Sequence, residues 1–537
     1  MKRLLHIFII VLQLLFAAAV LAGNGSPQDE PSKQQNGKNL VLMCLSAHPD
    51  DEDGATLAYY AKLKGVKTYS IFYTRGEGGQ NETGSELYGD LGALRTKETL
   101  AAAKVLGSEV YFLGFPDFGF SKTAKETFSK WGGNDSVLAR LVYVIRALKP
   151  DIIISNHDTV TTKPNRQHGN HQVVGITALE AFEKAADPHF HPEQLNDSIT
   201  TWQVKKLYYR VFRTNVMVHD STRIVELDMT KQDAGGTSIV ELSIQALRNH
   251  RSQGMDKLTF NDIPTFFRTH RYTLFKSEKE YPFDQHDLFS GINPSERRTA
   301  SIVSWNGPST SEKTEPVSPK SVTATFDRKI RIGLVKTYDN TLEETMKSFS
   351  INYTLIDSAQ LAAGDLKKFT TILLDLRTYA YRSDAERYND RLLEYMRNGG
   401  NVVCFYNKTG DWNKKKVSPY PLTVSSERVT EEDAPVTILE PNHPLFNHPN
   451  HIDQNDWGGW VQERSIYLPS DDTTLTSPKY ERLLAMSDED DHQPSTSLLW
   501  TKYGKGTYSY VSLALYRQLR NMNNGAMKLF FNLISQQ

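Results

Sequence analysis

The sequence predicts an α/β protein with two domains. Patterns of buried strands alternate with helical patterns from residue 39 onward, and the alternation restarts at residue 328. The full length of 537 residues exceeds one ordinary domain. Residues 306–325 are rich in Pro, Ser, Thr and Lys and contain hardly any apolar side chains, which is typical of a linker. We therefore predict a first domain over residues 39–305, a linker over 306–327 and a second domain over 328–537.

The first strand pattern is followed at once by a dense polar motif. Residues 40–45 form a continuous apolar run, typical of a strand buried in a parallel sheet, and His48, Asp50, Asp51 and Glu52 come directly after it. Ligands of open α/β sheets bind outside the carboxyl ends of the strands. His48 and Asp51 offer a nitrogen and an oxygen that suit zinc, and Asp50 between them is free to act as a base. The alternative is a polar turn that caps the next helix.

A second polar cluster follows another buried-strand pattern, residues 151–155. His168 and His171 stand three residues apart at the predicted start of a helix, so their side chains point to the same side of it. One can ligate a metal while the other faces the metal-bound water. A catalytic zinc usually has three protein ligands and an open fourth position. His48, Asp51 and His171 supply that set.

Three further polar residues, His157, Asp158 and His250, are not included in the predicted site. Asp158 could orient a ligand histidine, but solvated loop positions are preferred for both His157 and Asp158. His250 ends an amphipathic helix over about residues 238–249. A functional residue and a helix C-terminal residue favoured by the dipole are equally good interpretations of it, so it is not included in the site.

The motif AHPDDE at residues 47–52, together with the later HxxH, resembles the PIG-L/LmbE family of zinc-dependent N-deacetylases. Three further stretches are similar to the family pattern: TRGEGG at 74–79, RTKE at 95–98, which opens a predicted helix, and LGFPD at 113–117. The resemblance covers about residues 39–290 and implies a Rossmann-like parallel sheet. In one departure, the second motif, often HPDH, here reads HGNH. Asn170 cannot place a negative charge beside His168, which we expect to alter the acidity of His168 without abolishing metal binding.

The resemblance implies a metal-dependent hydrolase that removes the N-acetyl group from an amino sugar or glycoconjugate. Asp50 would take a proton from water, and His168 would stabilise the oxyanion or protonate the departing amine. Zinc is the expected metal, although iron, cobalt or nickel would also bind two histidines and one aspartate. The resemblance also implies that Glu77, Arg95 and Asp117 contact the substrate, and for these three residues a surface ion pair or a turn is the competing interpretation. The predicted site comprises the metal ligands His48, Asp51 and His171, the catalytic residues Asp50 and His168, and the substrate contacts Glu77, Arg95 and Asp117.

The second half repeats the strand and helix alternation. Strands are predicted at residues 329–335, 353–356, 371–375 and 401–406, with helices near 342–349 and 382–398, the latter ending at a Gly-Gly pair. This order resembles the class I glutamine-amidotransferase-like fold, a flavodoxin-type arrangement. Its one thiol, Cys404, lies inside a strand pattern and no HxE pair follows, so we expect no amidotransferase chemistry and assign this domain a supporting role in glycan binding.

The N-terminus and the charge balance bound location and partners. Residues 1–22 combine a basic start, an apolar stretch and small residues before Gly23, the layout of a secretory signal peptide, and 23–38 read as a disordered lead-in. We expect an exported, periplasmic or extracellular protein without stable membrane insertion after cleavage. Lys plus Arg number 62 against 63 Asp plus Glu, which makes nucleic acid an improbable partner. Two cysteines in separate strand patterns imply no disulfide framework.

Two other function classes stay open. The protein could be an exported glycan-binding protein with a vestigial or structural metal site, which Asn170 favours and the retained Asp50 opposes. It could also be an amidase or esterase that acts on another acyl group, because the metal ligands do not select the acyl chain.

Overall fold

The computed structural model describes residues 39–79, 81–159, 167–211, 222–294, 299–302, 304, 322–491 and 493–536. The predicted signal peptide, the lead-in and most of the predicted linker lie outside the described residues. The chain divides into two compact units, the first comprising Met1–Asn81 and Glu86–Glu312, the second Glu82–Ser85 and Lys313–Gln537. Both units alternate strands and helices, so the predicted α/β class is confirmed. None of the described helices combines the length and the apolar character that a membrane span requires.

The first unit is built on a seven-stranded sheet with the order β3-β2-β1-β4-β5-β7-β6. Strands β1 to β5 pair in parallel, whereas β7 pairs antiparallel with β5 and β6. The strand order runs outward from β1 in both directions, so the topological switch point lies between β1 and β4. The strands are β1 (Val41–Ser46), β2 (Lys67–Phe72), β3 (Ser108–Phe112), β4 (Ile152–Ser155), β5 (Lys206–Arg210), β6 (Ile224–Asp228) and β7 (Thr269–Ser277).

Helices cover both faces of this sheet. Along β1, Val41, Met43 and Leu45 pack in one core cluster, while Leu42 and Cys44 pack in another, as the alternation of side chains along a strand requires. A strand buried on both faces is apolar throughout, which explains the continuous run in the sequence. The helices are α1 (Gly54–Ala58), continued by a π-helical turn (Tyr59–Leu63), α2 (Tyr88–Leu106), α3 (Ala124–Lys130), α4 (Asn134–Leu148), α5 (Gly169–Lys184) and α6 (Ile239–Leu247).

The second unit contains an eight-stranded sheet with the order β13-β15-β16-β17-β11-β10-β8-β9. Its strands β9, β8, β10, β11 and β17 are parallel and follow the 2-1-3-4-5 order of doubly wound sheets, and three antiparallel strands extend it. The strands are β8 (Ile332–Val335), β9 (Tyr353–Leu355), β10 (Thr371–Leu374), β11 (Asn401–Phe405), β13 (Val436–Ile438), β15 (Glu481–Met486), β16 (Ser495–Tyr503) and β17 (Gly506–Val511), with β12 (Arg428–Val429) and β14 (Ser465–Ile466) forming a separate pair.

The four predicted strands of this half are confirmed as β8 to β11, but the long predicted helix is not continuous. It is divided at Arg382 and Tyr388 into short helices. Cys404 lies in β11 and is fully buried, and burial raises the pKa of its thiol to about 12. The helices are α7 (Thr341–Ser348), α8 (Ser358–Ala363), α9 (Thr378–Tyr381), α10 (Ser383–Arg387), α11 (Asn389–Arg397), α12 (Thr409–Trp412), α13 (Leu515–Arg520) and α14 (Asn524–Ile534).

Candidate active site

The candidate site lies at the topological switch point of the first unit. Strands β1 and β4 are parallel neighbours, and their last paired residues are Leu45 and Ser155. His48 follows β1 by two residues and His157 follows β4 by two residues, so the two side chains leave the same edge of the sheet. Helix α5 begins at Gly169 with His168 in the preceding N-cap position, and it brings His171 to the same place. Three elements therefore converge on one point.

One carboxylate oxygen lies at the centre of these imidazoles. Asp51 Oδ2 lies 2.9 Å from His48 Nδ1, 3.2 Å from His171 Nε2 and 3.8 Å from His157 Nε2. It also accepts a hydrogen bond of 2.9 Å from the His48 backbone N–H, which fixes the turn after β1. His168 completes the group, with its ring centroid 3.8 Å from that of His171. The three predicted metal ligands are thus neighbours in the fold.

The donor atoms fit a divalent metal. Two groups of three residues, His48 with His168 and His171, and Asp51 with His157 and His171, have ligand atoms within 4.8 Å of one another. Nitrogen donors with one carboxylate are the set that zinc accepts. Burial, reinforced by the neighbouring histidines, lowers the pKa of His157 and of His168 well below the ordinary range, so both are neutral, the form that binds metals.

His48 has the opposite electrostatic balance. Burial acts to lower its pKa, but the carboxylates of Asp117 and Asp51 outweigh burial and the net shift is upward. A metal ion at this position therefore competes with a proton on His48, and acid weakens metal binding.

Asp50 lies beside the ligands in an unusual backbone conformation. Its φ of 84° is in the left-handed region, which a non-glycine residue seldom adopts. Its backbone N–H donates to Glu52 Oε2 at 3.0 Å, and its carboxylate accepts a bond of 3.0 Å from Arg95. Burial raises the pKa of the Asp50 carboxyl to about 6, against the lowering effect of Arg95. A carboxylate with a pKa near neutrality is suited to general-base chemistry.

Arg95 is largely occupied by protein groups. It is 3% exposed and lies in the middle of α2 instead of opening the helix as predicted. Its Nη2 also donates to the Pro49 carbonyl at 2.7 Å, and its Nη1 donates to the Gly76 carbonyl at 3.0 Å. A Cβ on Gly76, where φ is 72°, would lie 2.4 Å from Arg95 Cζ. The absence of a side chain at Gly76 therefore leaves the space that this guanidinium occupies.

The other two predicted substrate contacts line the same loops. Glu77 is buried, and burial together with the Asp117 carboxylate raises its pKa to about 7. Asp117 Oδ1 lies 3.9 Å from His48 Nε2 and accepts the Gly119 N–H at 3.0 Å. Asp117 thus lies beside one of the candidate metal ligands, and Glu77 is close enough to Asp117 to feel its charge. The contacts of Glu77, Arg95 and Asp117 with a substrate stay predictions.

The expected effect of Asn170 was assigned to the wrong histidine. The Asn170 amide Nδ2 lies 3.1 Å from His48 Nε2, and its Oδ1 accepts a bond of 2.9 Å from Thr127 Oγ1. His168 instead lies against the ring of Phe120, at 5.1 Å between centroids. The reason is helical geometry, since residues two apart on a helix point in nearly opposite directions. The absence of a carboxylate at position 170 therefore affects His48 and not His168.

The preference for a solvated His157 was also wrong. His157 is 5% exposed, its Nε2 accepts the Ala47 N–H at 3.5 Å, and its ring stacks on His171 with centroids 4.0 Å apart. The available signal was its position two residues beyond a buried strand, the same offset that places His48. His250, which was left out of the site, is fully buried with its Nε2 3.6 Å from Glu52 Oε1. Asp158 accepts a bond from Gln167 Nε2 at 2.9 Å.

Comparison with known proteins shows what this site is similar to. Residues 43–182 match the profile of the PIG-L family, described as GlcNAc-PI de-N-acetylase. These residues lie in the first unit and are similar to a PIG-L deacetylase domain. The predicted class, a metal-dependent N-deacetylase that hydrolyses the C–N bond of an amide, is thereby confirmed.

Individual relatives agree with the family. The chain is 29% identical over 296 residues to 1D-myo-inositol 2-acetamido-2-deoxy-alpha-D-glucopyranoside deacetylase of Streptomyces avermitilis, over 47% of this chain and 97% of that protein. It is 31% identical over 184 residues to the mycothiol S-conjugate amidase of Streptomyces coelicolor, over 32% of this chain and 60% of that protein. Among solved structures, the N,N'-diacetylchitobiose deacetylase of Pyrococcus horikoshii is similar at 22% identity and a TM-score of 0.30, over 43% of this chain and 76% of that one.

Proposed function

We propose that this chain is a zinc-dependent hydrolase that removes the N-acetyl group from an N-acetylated amino sugar or glycoconjugate. The observation that carries the proposal is the set of imidazoles around Asp51 with the Asp50 carboxylate beside it. A binding protein with a structural metal has no use for a carboxylate that is poised next to the ligands and has a pKa near neutrality. The relatives named for a 2-acetamido-2-deoxy-glucopyranoside deacetylase support the amino-sugar class.

The metal would be held by His48, Asp51 and His171, and His157 offers a further nitrogen near the same carboxylate oxygen. When bound, the metal supplies Lewis-acid polarisation of the amide carbonyl and lowers the pKa of water. Zinc is favoured by the mixture of imidazole and carboxylate donors, and ferrous iron or cobalt is the alternative.

Two side chains of the protein would move or hold protons in the reaction. Asp50 accepts a proton from the attacking water and returns it to the departing amine nitrogen, so that acetate and a free amine result. His168, which burial keeps neutral, donates a hydrogen bond to the oxygen on which negative charge develops. Its Nδ1 is buried and has no hydrogen-bond partner among the described residues.

The proposal includes export. The basic start, apolar stretch and small residues of positions 1–22 support cleavage by a signal peptidase and a periplasmic or extracellular mature protein. N-terminal sequencing of protein recovered from the periplasm or the medium tests this, with Gly23 expected as the first residue. Recovery of uncleaved chain in the membrane fraction would contradict it.

A panel of acetylated sugars tests the reaction. Purified protein loaded with zinc is incubated with N-acetylglucosamine, N-acetylated chito-oligomers and an N-acetylglucosaminyl inositol, and free amine is detected with fluorescamine. We expect amine and acetate in equal amounts from at least one of them. Metal bound without amine release from any member would refute the acetyl-sugar assignment.

A second candidate is hydrolysis of a larger N-acyl group from the same kind of amino sugar. The observation that favours it is the 31% identity to a protein named mycothiol S-conjugate amidase. Adding N-acyl glucosamines with longer acyl groups to the same assay separates the two, because an amidase would release amine from these and not from the acetyl compounds.

A further inference from the structure

The second unit has a polar cluster of its own at the carboxyl edge of its sheet. Strands β10 and β11 are parallel neighbours, and Arg377 and Lys408 each follow the end of one of them by three residues. The two cationic side chains therefore leave the same edge, beside the switch point between β8 and β10. Doubly wound sheets bind their ligands at this place. Neither side chain has a role in the proposed deacetylation.

Both cations are buried, and the backbone that carries one of them is strained. Arg377 is 2% exposed and Lys408 is 6% exposed. Arg377 has a φ of 53°, in the left-handed region, and its backbone N–H donates to the Tyr406 carbonyl at 2.8 Å. Such a conformation persists only where the surroundings fix it, and it is found most often at functional sites. Two buried positive charges also require negative partners.

Asp411 supplies one negative charge from the loop that follows β11. Its Oδ2 lies 3.1 Å from Arg377 Nε and accepts the Lys408 backbone N–H at 3.2 Å. Asp411 is 1% exposed, so this ion pair is shielded from water. One carboxylate cannot balance two buried cations, and an unbalanced buried charge is strongly destabilising. The cluster therefore needs a second anion.

Glu82 supplies the second carboxylate from a distant part of the chain. Its Oε1 lies 2.7 Å from Arg377 Nη1 and 3.6 Å from Lys408 Nζ. Its Oε2 accepts a hydrogen bond of 3.0 Å from the Tyr381 hydroxyl. Burial acts to raise the pKa of Glu82, but Arg377 and Lys408 outweigh burial and the net shift is downward. The carboxylate is therefore ionised at neutral pH, the form that two cations bind.

The four residues Glu82–Ser85 belong to the second unit, although the chain before them, up to Asn81, and the chain after them, from Glu86, belong to the first. Asn340 Nδ2 donates to Ser85 Oγ at 3.3 Å, so the segment is bound at both of its ends. In the sequence the segment lies between the glycine-rich turn at 74–79 and the start of α2 at residue 88. The second unit therefore binds part of the loop that joins these two elements.

We propose that Arg377, Lys408 and Tyr381 form a carboxylate-binding site of the second unit, and that its ligand is the acidic segment Glu82–Ser85 of the same chain. The site gives the second unit a purpose that needs no catalysis, because it holds the loop between the glycine-rich turn and α2. The proposal does not depend on the deacetylase reaction, since its test measures the loop and the second unit directly.

Hydrogen exchange of the loop and thermal melting of the second unit test the proposal in the whole chain. In Glu82→Ala, the amides of residues 81–87 should exchange about 10-fold faster, because the loop loses its anchor. The melting temperature of the second unit should fall by about 3–6 °C, because two buried cations lose a charged partner. Glu82→Gln should recover less than about half of that fall, since an amide carries no charge.

Glu394→Ala is the matched control, because Glu394 is an exposed acidic residue of α11 in the same unit. It should leave the exchange of residues 81–87 and the melting temperature unchanged. Exchange that is equally slow in Glu82→Ala and in the control would overturn the proposal. Full recovery in Glu82→Gln would overturn the assignment of the ligand as a carboxylate.

A double-mutant cycle tests whether the site and the segment bind each other directly. Tyr381→Phe removes only the hydroxyl that donates to Glu82, and Arg377 is left intact because its loss would also leave Asp411 without its partner. The fall in melting temperature of the double variant Glu82→Ala/Tyr381→Phe should be smaller than the sum of the two single falls by about 1–2 °C. Additive falls would overturn the proposal, because side chains that bind each other are energetically coupled.

Discussion

Replacing Asp53 by Asn should destabilise the first unit by about 3 kcal/mol. Asp53 comes directly after the AHPDDE motif and is 2% exposed. Its carboxylate lies 3.1 Å from Arg210 Nη1 and 2.9 Å from His270 Nδ1, and it accepts a short hydrogen bond from the Tyr272 hydroxyl. Removing one charge of a buried pair leaves the other charge uncompensated, which costs about 3–5 kcal/mol.

The lower end of that range is expected because Asn keeps one function of Asp53. Its side chain accepts the Thr56 N–H at 3.1 Å as the N-cap of α1, and Asn caps a helix about as well as Asp. The loss is therefore mainly electrostatic. In Asp53→Ala the cap is lost as well, which adds about 1 kcal/mol.

The effect of Asp53 on stability also depends on pH. Burial acts to raise the pKa of Asp53, but Arg210 and His270 outweigh it and hold the pKa well below its ordinary value. The native state therefore binds fewer protons than the unfolded state in acid, and the stabilisation is lost as pH falls below about 4. The difference in the free energy of unfolding between wild type and Asp53→Asn should be constant from pH 8 to about pH 5. It should become smaller in more acidic buffer.

Urea unfolding followed by tryptophan fluorescence measures this difference. With an m-value of about 3 kcal/mol/M, the transition of the first unit should shift by about 1 M. Asp256→Asn is the control, since Asp256 is exposed in the same unit. A shift in Asp53→Asn no larger than that of the control would show that the Asp53 carboxylate does not stabilise the first unit.

Three further outcomes follow from the site. Asn170→Asp should tighten zinc binding up to about 10-fold, because a carboxylate would lie 3.1 Å from the His48 ring nitrogen. Competition with a chromophoric chelator measures the zinc affinity, and unchanged or weaker binding would contradict the prediction. Chelation should lower the first melting transition and excess zinc should restore it, with a gain of about 2.7 kcal/mol at a hundred times the Kd; a melt indifferent to zinc would argue against the site. Gly76→Ala should reduce activity sharply, because its Cβ would clash with Arg95. Gly65→Ala is the control: its φ of 66° is similar, but no atom lies within 4 Å of its Cβ, so the variant carries backbone strain alone. Equal losses of activity in the two variants would show that the clash is unimportant.

The sequence was sufficient where the signal is local. A strand buried on both faces must be apolar throughout, and the polar residues after it must lie at the carboxyl edge of the sheet, so β1 and its motif could be recognised together. The same logic located β4 and the four parallel strands of the second half. The same offset of two residues beyond a buried strand also marks His157, although histidines in loops are more often solvated.

What escaped prediction depends on residues that are distant in the chain. Asp53 contacts His270 and Tyr272 of β7, and Glu52 faces His250 after α6. None of these three partners carries a local pattern that points back to residue 52 or 53. The contact of Arg95 with the Gly76 carbonyl could not be predicted either, because only the fold brings that turn near to the helix. The direction in which the Asn170 side chain points depends on the residue at which α5 begins. The residues at which a helix begins and ends are the least certain part of a sequence-based prediction.

The decisive measurement is the zinc content and the amine release of one preparation, compared between the wild type and Asp50→Asn. We expect about one zinc per chain in both proteins, because Asp50 is not a ligand. We expect amine from an acetylated amino sugar with the wild type, and a loss of at least about 100-fold in the variant. Equal turnover in the two proteins, or a variant that loses its zinc together with its activity, would contradict the assignment of Asp50 as the base of a metal-dependent deacetylase.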